Sequence, residues 1–314
     1  MKRSVKQFLA FALSVCLLLG LLPMGALAQE SGAEFVAQQV SLGDDLTMKI
    51  FFSADSAVAA NGAVNVTLDG KAYSSEAISA LPTDEEGNYA VSVSVAAAQM
   101  TDAIGVIVTD GSQEVISKTY SIRDYAVTLM EGNYSAGTKH MVQQMLNYGA
   151  KAQLFFNYKT STLANAGYSV TSEAVLPEGV ADMEIVGKVP GVSYVGASLL
   201  CRNKLAVRFY LNVSGKDYTY MVGDQPYQLQ TNGQQTYVEV DGINPQDMDK
   251  SIVLAVSDGE ESLTVSYSPL NYIVRMSAKE NSTEELKALM SAMYGYHDAA
   301  KSFVGIQLED ILTI

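Results

Sequence analysis

The chain is predicted to be α+β and mainly β, with two tandem β-sandwich-like modules that each end in a short helix plus a long amphipathic helix. Three observations lead there. Apolar and polar residues alternate in many short runs, the period of half-buried strands. The period then changes to 3.6 twice, near residues 141–155 and 289–303. The second half also repeats the first: Met141, Met145, Tyr148, Ala152 and Phe155 are answered by Leu289, Met293, Tyr296, Ala300 and Phe303. Both series step by four, three, four, three, which sets all five side chains along one helix face. A duplicated module of roughly 115–125 residues therefore organises the chain.

Taken in order, residues 1–28 have the pattern of a secretory signal peptide. Lys2, Arg3 and Lys6 precede an apolar run from Phe8 to Leu22, and Ala26-Leu27-Ala28 forms a cleavage site before Gln29. Module one spans residues 35–158. Its strands are read around Phe35–Leu42, at Leu46, Met48, Ile50 and Phe52, at Val64, Val66, Leu68 and Tyr73, and at Tyr89, Val91, Val93 and Val95. Ile104–Thr109 and Val115–Tyr120 flank Asp110-Gly111, a dipeptide that tolerates the positive φ of tight hairpins. Ser121 with Asp124 three residues on opens the short helix as a capping-box variant, and Thr138 is read as the cap of the long one. Residues 159–190 are rich in Ser, Ala and Gly, contain Pro177 and Pro190, and read as a linker that partly packs on module one.

Module two, residues 191–305, follows the same order. Strands are read around Val192–Leu199, at Leu205, Val207, Phe209 and Leu211, at Tyr218, Tyr220, Val222 and Tyr227, and at Tyr237, Val238 and Val240. Ile252–Ser257 and Leu263–Tyr267 flank Asp258-Gly259. Ser268 followed by Pro269 is an N-cap with proline at the first helical position. Ser282 with Glu285 is read as the cap of the long helix, ending near Val304, and residues 306–314 as a C-terminal tail.

The run Tyr120-Ser121-Ile122-Arg123-Asp124-Tyr125, followed by Met145-Leu146-Asn147-Tyr148-Gly149-Ala150-Lys151-Ala152-Gln153, Phe156-Asn157-Tyr158 and Leu163-Ala164-Asn165, resembles tandem repeat modules of large secreted surface proteins. Those are uncharacterised modules from anaerobic Gram-positive gut bacteria of the Firmicutes and Clostridia type. The resemblance covers most of residues 35–305. It implies an extracellular setting and carries over no catalytic or binding residue. Module two departs from the pattern, with Tyr294-Gly295 and His297-Asp298 where module one has Leu146-Asn147 and Gly149-Ala150. Equal function of the two modules therefore does not follow.

Composition excludes some partners. The signal segment takes three of the 20 basic residues and none of the 34 acidic ones, so the rest carries 17 basic against 34 acidic residues, a formal charge of −17. Such a surface avoids nucleic acid and anionic lipid. Past the signal there is one cysteine, Cys201, so stability must come from core burial rather than an internal disulfide. Cys201 reads as a buried or half-buried small residue, or else as an exposed thiol able to join two copies. No long apolar segment follows the signal, so no integral membrane segment is expected after cleavage.

Catalytic patterns are scarce. The only histidines, His140 and His297, read as helix-surface residues, and neither has a second histidine or cysteine at ligand spacing. Metal and cofactor are accordingly expected to be none. Gly191-Val192-Ser193-Tyr194-Val195-Gly196 has the wrong spacing for a nucleophile elbow, and there is no phosphate loop or His-Glu-x-x-His helix. Two acidic stretches, Asp84-Glu85-Glu86-Gly87-Asn88 and Asp241, Asn244, Asp247 and Asp249, depart from calcium-loop spacing and read as solvated turns. Lys49 reads as a surface lysine; its counterpart Arg208 could not form an isopeptide crosslink.

The sequence therefore predicts a non-catalytic protein, secreted or associated with a cell surface. Its work would be adhesion, scaffolding or recognition of a surface polymer or host component, with cell-wall, mucin or matrix polymers as partners. The alternative is a carbohydrate-binding protein that uses Tyr218, Tyr220, Tyr227 and Tyr237 as an exposed aromatic strip. A third is a secreted hydrolase whose paired carboxylates lie far apart in sequence.

Overall fold

The computed structural model describes residues 16–18, 32–42, 45–180, 183–201, 204–215 and 217–312. Within them the fold is mainly β, with four antiparallel sheets and five α-helices. Of the segment read as a signal peptide, only the backbone of β1 (Cys16–Leu18) is described, and it pairs with β2 (Ala33–Leu42). The remainder of that segment lies outside the described residues.

In the first half, β2 is followed by β3 (Leu46–Ala54), α1 (Ser56–Asn61), β4 (Gly62–Leu68), β5 (Lys71–Ala77), β6 (Tyr89–Val95), β7 (Ile104–Asp110) and β8 (Gln113–Tyr120). They form one sheet in the order β1-β2-β3-β6 and another in the order β5-β4-β7-β8. The alternation that marks β3 explains its register. Met48 lies opposite Val93 and Ile50 opposite Val91, and all four side chains are buried. Val64 and Val66 likewise pair with Val108 and Val106. Each such burial stabilises the fold by about 1.5–3 kcal/mol. At the β4–β5 turn, Asp69 and Gly70 take φ of 52° and 76°, the left-handed pair that a two-residue hairpin needs.

Two helices follow. In α2 (Ile122–Glu131) the Ser121 side chain accepts from the Asp124 N–H at 3.0 Å, as its spacing predicts. In α3 (Ala136–Phe155) the cap is Ser135 rather than Thr138. Thr138 lies inside the first turn, and its N–H is one of the orphan donors that the Ser135 hydroxyl satisfies, at 3.1 Å.

The second half begins inside the segment read as linker. There β9 (Glu184–Gly187) pairs with a later strand. It is followed by β10 (Val192–Cys201), β11 (Leu205–Val213), β12 (Thr219–Val222), β13 (Gln225–Tyr227), β14 (Gln230–Asn232), β15 (Gln235–Val240), β16 (Ile252–Ser257) and β17 (Ser262–Tyr267). The sheets run β10-β11-β15-β14 and β13-β12-β16-β17-β9. The register shift between Phe35 and Ala37 in β2 recurs between Tyr194 and Gly196 in β10. In α4 (Pro269–Ala278), Ser268 and Asn271 close a reciprocal capping box, and the Leu270 N–H donates to the Met248 carbonyl at 2.9 Å. The Arg123 N–H donates to Met100 in the same way and at the same distance in the first half.

The long second helix, α5 (Glu284–Leu312), corrects two expectations. Its first-turn acceptor is Thr283, whose hydroxyl takes the Leu286 N–H at 3.2 Å, in place of Ser282. The helix also runs on through residues 306–312, where the sequence predicts a tail. No proline interrupts that stretch, and its Gln, Leu and Glu residues favour a helix. The apolar stripe needs a correction too. Phe303 is 7% exposed, but Phe155 is 37% exposed and packs edge-on against Phe156. Phe155 is the last residue of α3, where a strict 3.5-residue stripe has drifted off the buried face of a 3.6-residue helix.

Equivalent residues of the two halves meet each other. Tyr148 of α3 stacks on Tyr296 of α5 with ring centroids 5.8 Å apart and planes 17° from parallel. Asp45, before β3, forms an antiparallel bridge with Lys204, before β11. Gly295 permits the close helix crossing, because a Cβ there would lie 2.6 Å from the Gln144 side-chain oxygen. None of the described helices is long and apolar enough to cross a membrane.

Candidate functional site

The two halves carry clefts at matching places, where the turn after Met100 or Met248 meets the start of the short helix; the facing wall is the segment after the long helix in the first half and the flank of the long helix in the second. Their contents differ.

In the first half the cleft, about 690 Å³, is lined by Thr101, Thr119, Tyr120, Arg123, Lys159 and Thr162 among others. Lys159 of this lining belongs to a fixed ionic cluster. Asp102 is 1% exposed and accepts from the Tyr158 hydroxyl at 2.8 Å and from the Lys159 ammonium at 2.9 Å. Lys159 also reaches Asp69 at 2.6 Å. Burial works against the Lys159 charge, but the hydrogen bonds to Asp69 and Asp102 prevail and hold the ammonium above the ordinary lysine range. Asn157 and Lys159 adopt φ of 51° and 44°, so the chain reverses directly after α3. Residues 159–166 thereby return across the cleft as a strap. Gln153 pins it, donating to the Thr162 carbonyl at 3.1 Å and accepting from the Ala164 N–H at 2.8 Å. Arg123 fixes its far end through the Ala166 carbonyl at 2.9 Å. Ala164 packs against Gly149, where an added Cβ would sit 3.2 Å from the Ala164 methyl and 2.5 Å from the Met100 sulfur.

In the second half Gly149 is matched by His297. This histidine was expected on the helix surface; it is instead 4% exposed. Its Nδ1 lies 2.7 Å from the Pro245 carbonyl oxygen. A carbonyl only accepts, so Nδ1 carries a proton and donates it to Pro245. The imidazole lines a cleft of about 340 Å³ together with Asp249, Asn271, Tyr294, Asp298 and Lys301, and residues Pro177, Gly179 and Val180 form one wall. Asp249 bonds to Lys301. Burial opposes the Asp249 charge, yet the Lys301 hydrogen bond and the neighbouring His297 keep its carboxyl below the usual carboxylate value. His140, by contrast, is exposed on α3.

The four tyrosines singled out in the sequence do not form one exposed strip. Tyr220 and Tyr237 are buried. Tyr220 lies opposite Tyr227 in the β12–β13 pair. The Tyr218 hydroxyl is held by the Pro190 and Ser214 carbonyls at 2.6 and 2.9 Å. Tyr237 belongs to the other sheet, where the Arg208 guanidinium sits 4.0 Å from its ring centroid and pairs with Glu239 at 2.6 Å. The pattern that suggested a strip was β-alternation, which places residues on a face but says nothing of what covers that face.

Cys201 is half-buried, with its thiol 3.8 Å from the Met293 sulfur. Burial pushes it up to about 11, so it stays a neutral thiol at neutral pH. Asp84 accepts from the Asn88 and Glu86 N–H groups, and its own loop thus occupies the carboxylate. Among the described residues no group of three or more His, Cys, Asp and Glu side chains converges as a metal site. Chemically, the second cleft offers carboxylates, an imidazole, one ammonium and an aromatic ring, and the first offers hydroxyls beside the Arg123 guanidinium and the ion-paired Lys159. No family model, curated protein or solved structure matches the chain.

Proposed function

We propose that the chain is a secreted or surface-associated, non-catalytic recognition protein for adhesion, scaffolding or capture of a surface polymer or host component. In this reading it is two copies of one sandwich-plus-helices module, residues 35–158 and 191–305, joined through 159–190. Its partners would be cell-wall, mucin or matrix polymers. The observation that carries it is where the enclosed reactive groups are held. Asp102 is saturated by Lys159 and Tyr158, Cys201 lies against Met293, and the proton-bearing nitrogen of His297 is held by the Pro245 carbonyl. These arrangements support packing and docking rather than a nucleophile beside its base.

The matching β-bulges, the matching Met100 and Met248 carbonyl bonds and the Tyr148–Tyr296 stack support the duplication. The test is a pull-down of the mature protein on cell-wall, mucin and matrix fractions, with a glycan array and a hydrolase panel beside it. Retention on a polymer fraction with no turnover is expected, and turnover of any substrate would replace the reading with an enzyme. Export is tested by N-terminal sequencing of the released protein, which should begin at Gln29.

A further inference from the structure

We propose that the face joining the two halves is a docking face for a second copy of this chain, and that two chains pair by exchanging halves. In that dimer the first half of each chain packs on the second half of the other.

The contact between the halves follows a local two-fold axis. The β2–β3 and β10–β11 hairpins align Leu42 and Leu46 with Cys201 and Leu205, so Asp45 and Lys204 are equivalent positions. They face each other in an antiparallel bridge. Tyr148 and Tyr296 are a second equivalent pair, and their rings stack at 5.8 Å. A position that meets its own equivalent lies beside a two-fold axis. Two such pairs mark an isologous contact, the kind that joins two copies in a dimer. Asn147 and Gly295 are a third equivalent pair, and the connecting segment touches both. Glu173 accepts from Asn147 at 3.3 Å, and a Cβ on Gly295 would lie 3.2 Å from the Ala174 methyl.

The two faces are alike without being identical, and their differences favour unlike halves over like ones. The bridge sets an acidic residue against a basic one. Two first halves would oppose Asp45 to Asp45, and two second halves Lys204 to Lys204, each a like-charge contact. The Tyr148 hydroxyl also donates to the Cys201 sulfur. Leu42 occupies the position matching Cys201, so two first halves would lose that bond. The partner that fits a first half is therefore a second half, its own or another chain's.

The connection decides between these two. Residues 175–180 belong to no helix or strand, and Val175 is 88% exposed. The chain is held on either side, by Ser291 on Ala174 and by β17 on β9. Straightening 175–180 would move one half away without breaking a ladder, and every contact of the face would re-form with the second chain. A short connection sets an effective concentration on the order of millimolar, so exchange should grow as chains fold together at comparable concentration.

Single-cysteine chains test the exchange. Asp45→Cys and Lys204→Cys would be made separately in a Cys201→Ala background, and the two mature chains mixed and unfolded in urea. They would then be refolded together in a glutathione redox buffer. A dimer linked from position 45 of one chain to position 204 of the other is expected, at least about tenfold more abundant after refolding at about 1 mM than at about 1 μM. The double variant Asp45→Cys with Lys204→Cys, refolded dilute, should close the same disulfide within one chain. Closure there with no disulfide between chains at either concentration would overturn the exchange. Disulfides joining position 45 to position 45 in the Asp45→Cys chain alone would overturn the preference for unlike halves. A folded double variant that does not close would overturn the two-fold contact itself. The unaltered chain refolded at about 1 mM should contain a dimer by sedimentation that reverts slowly on dilution, because reversal must part α3 from α5. A dimer that separates at once would be a surface contact and would overturn the proposal.

Discussion

At the residue scale, the contact between the long helices concentrates groups that prefer to be neutral. Cys201, Tyr148 and Tyr296 are all raised above their ordinary values, with burial as the main cause. The sign follows from linkage. Between pH 9 and about 11 the unfolded thiol ionises while the folded thiol holds its proton, so the stability from Cys201 is complete below pH 9 and is lost on rising through that window. Alkaline unfolding should therefore set in above pH 9, and Cys201→Ala should flatten the stability curve between pH 9 and 11 in denaturant titrations. A slope unchanged in the variant would show that the thiol is ionised in the fold. Tyr296 gives a second expectation. Its enclosed hydroxyl has no partner among the described residues, so Tyr296→Phe should leave stability unchanged or raise it by about 1 kcal/mol. A loss of similar size would reveal a hydrogen bond at that hydroxyl.

At the element scale, Phe303 and Phe155 separate two positions that read alike in the sequence. Phe303→Ala should cost about 3–5 kcal/mol, and Phe155→Ala less than about 1 kcal/mol, because one ring is enclosed and the other lies at a helix end. Urea titration of both variants decides it, and equal losses would mean that the end of α3 is covered. Strands were legible because period-two alternation needs only neighbours in sequence. The Met48, Ile50 and Phe52 face, the Asp69-Gly70 turn and the Ser121 and Ser268 caps all follow from local chemistry. Caps at Ser135 and Thr283 differed by a few residues from those expected because serine and threonine cluster there and several could serve. The clefts were not legible. His297 meets Pro245 across 52 residues, and the linker wall at Pro177–Val180 is farther still. Nothing in a helical stripe distinguishes an imidazole turned inward from one turned to solvent, and only the glycine at the matching position, Gly149, hints that this side chain enters packed space.

At the scale of the whole molecule, the segment between the halves belongs to both of them. Its first part is bound to α3 through Gln153 and to α2 through Arg123, and Lys151 pairs with Glu173 at 2.6 Å. Its last part, β9, completes the edge of β17 in register from Glu184 to Gly187. Between them Ala174 accepts from the Ser291 hydroxyl of α5 at 2.8 Å, so the segment also ties the two halves together. Each half nonetheless has its own pair of sheets and its own capped helices, and fragments 29–180 and 181–314 should each unfold cooperatively. Fragment 29–160 lacks the strap, which exposes Ala164's contact with Gly149 and frees the Gln153 amide in a buried site. It should be less stable than 29–180 by about 2–4 kcal/mol, the scale of one unsatisfied buried amide together with lost apolar packing. Mixed in solution, 29–180 and 181–314 should associate through the Tyr148–Tyr296 face, and Gly295→Leu should abolish that association by forcing a side chain onto Gln144. Thermal unfolding of each fragment and sedimentation of the mixture supply the measurements. Two folded fragments that ignore each other would make the helix contact incidental, and a disordered fragment would make the two halves one cooperative unit.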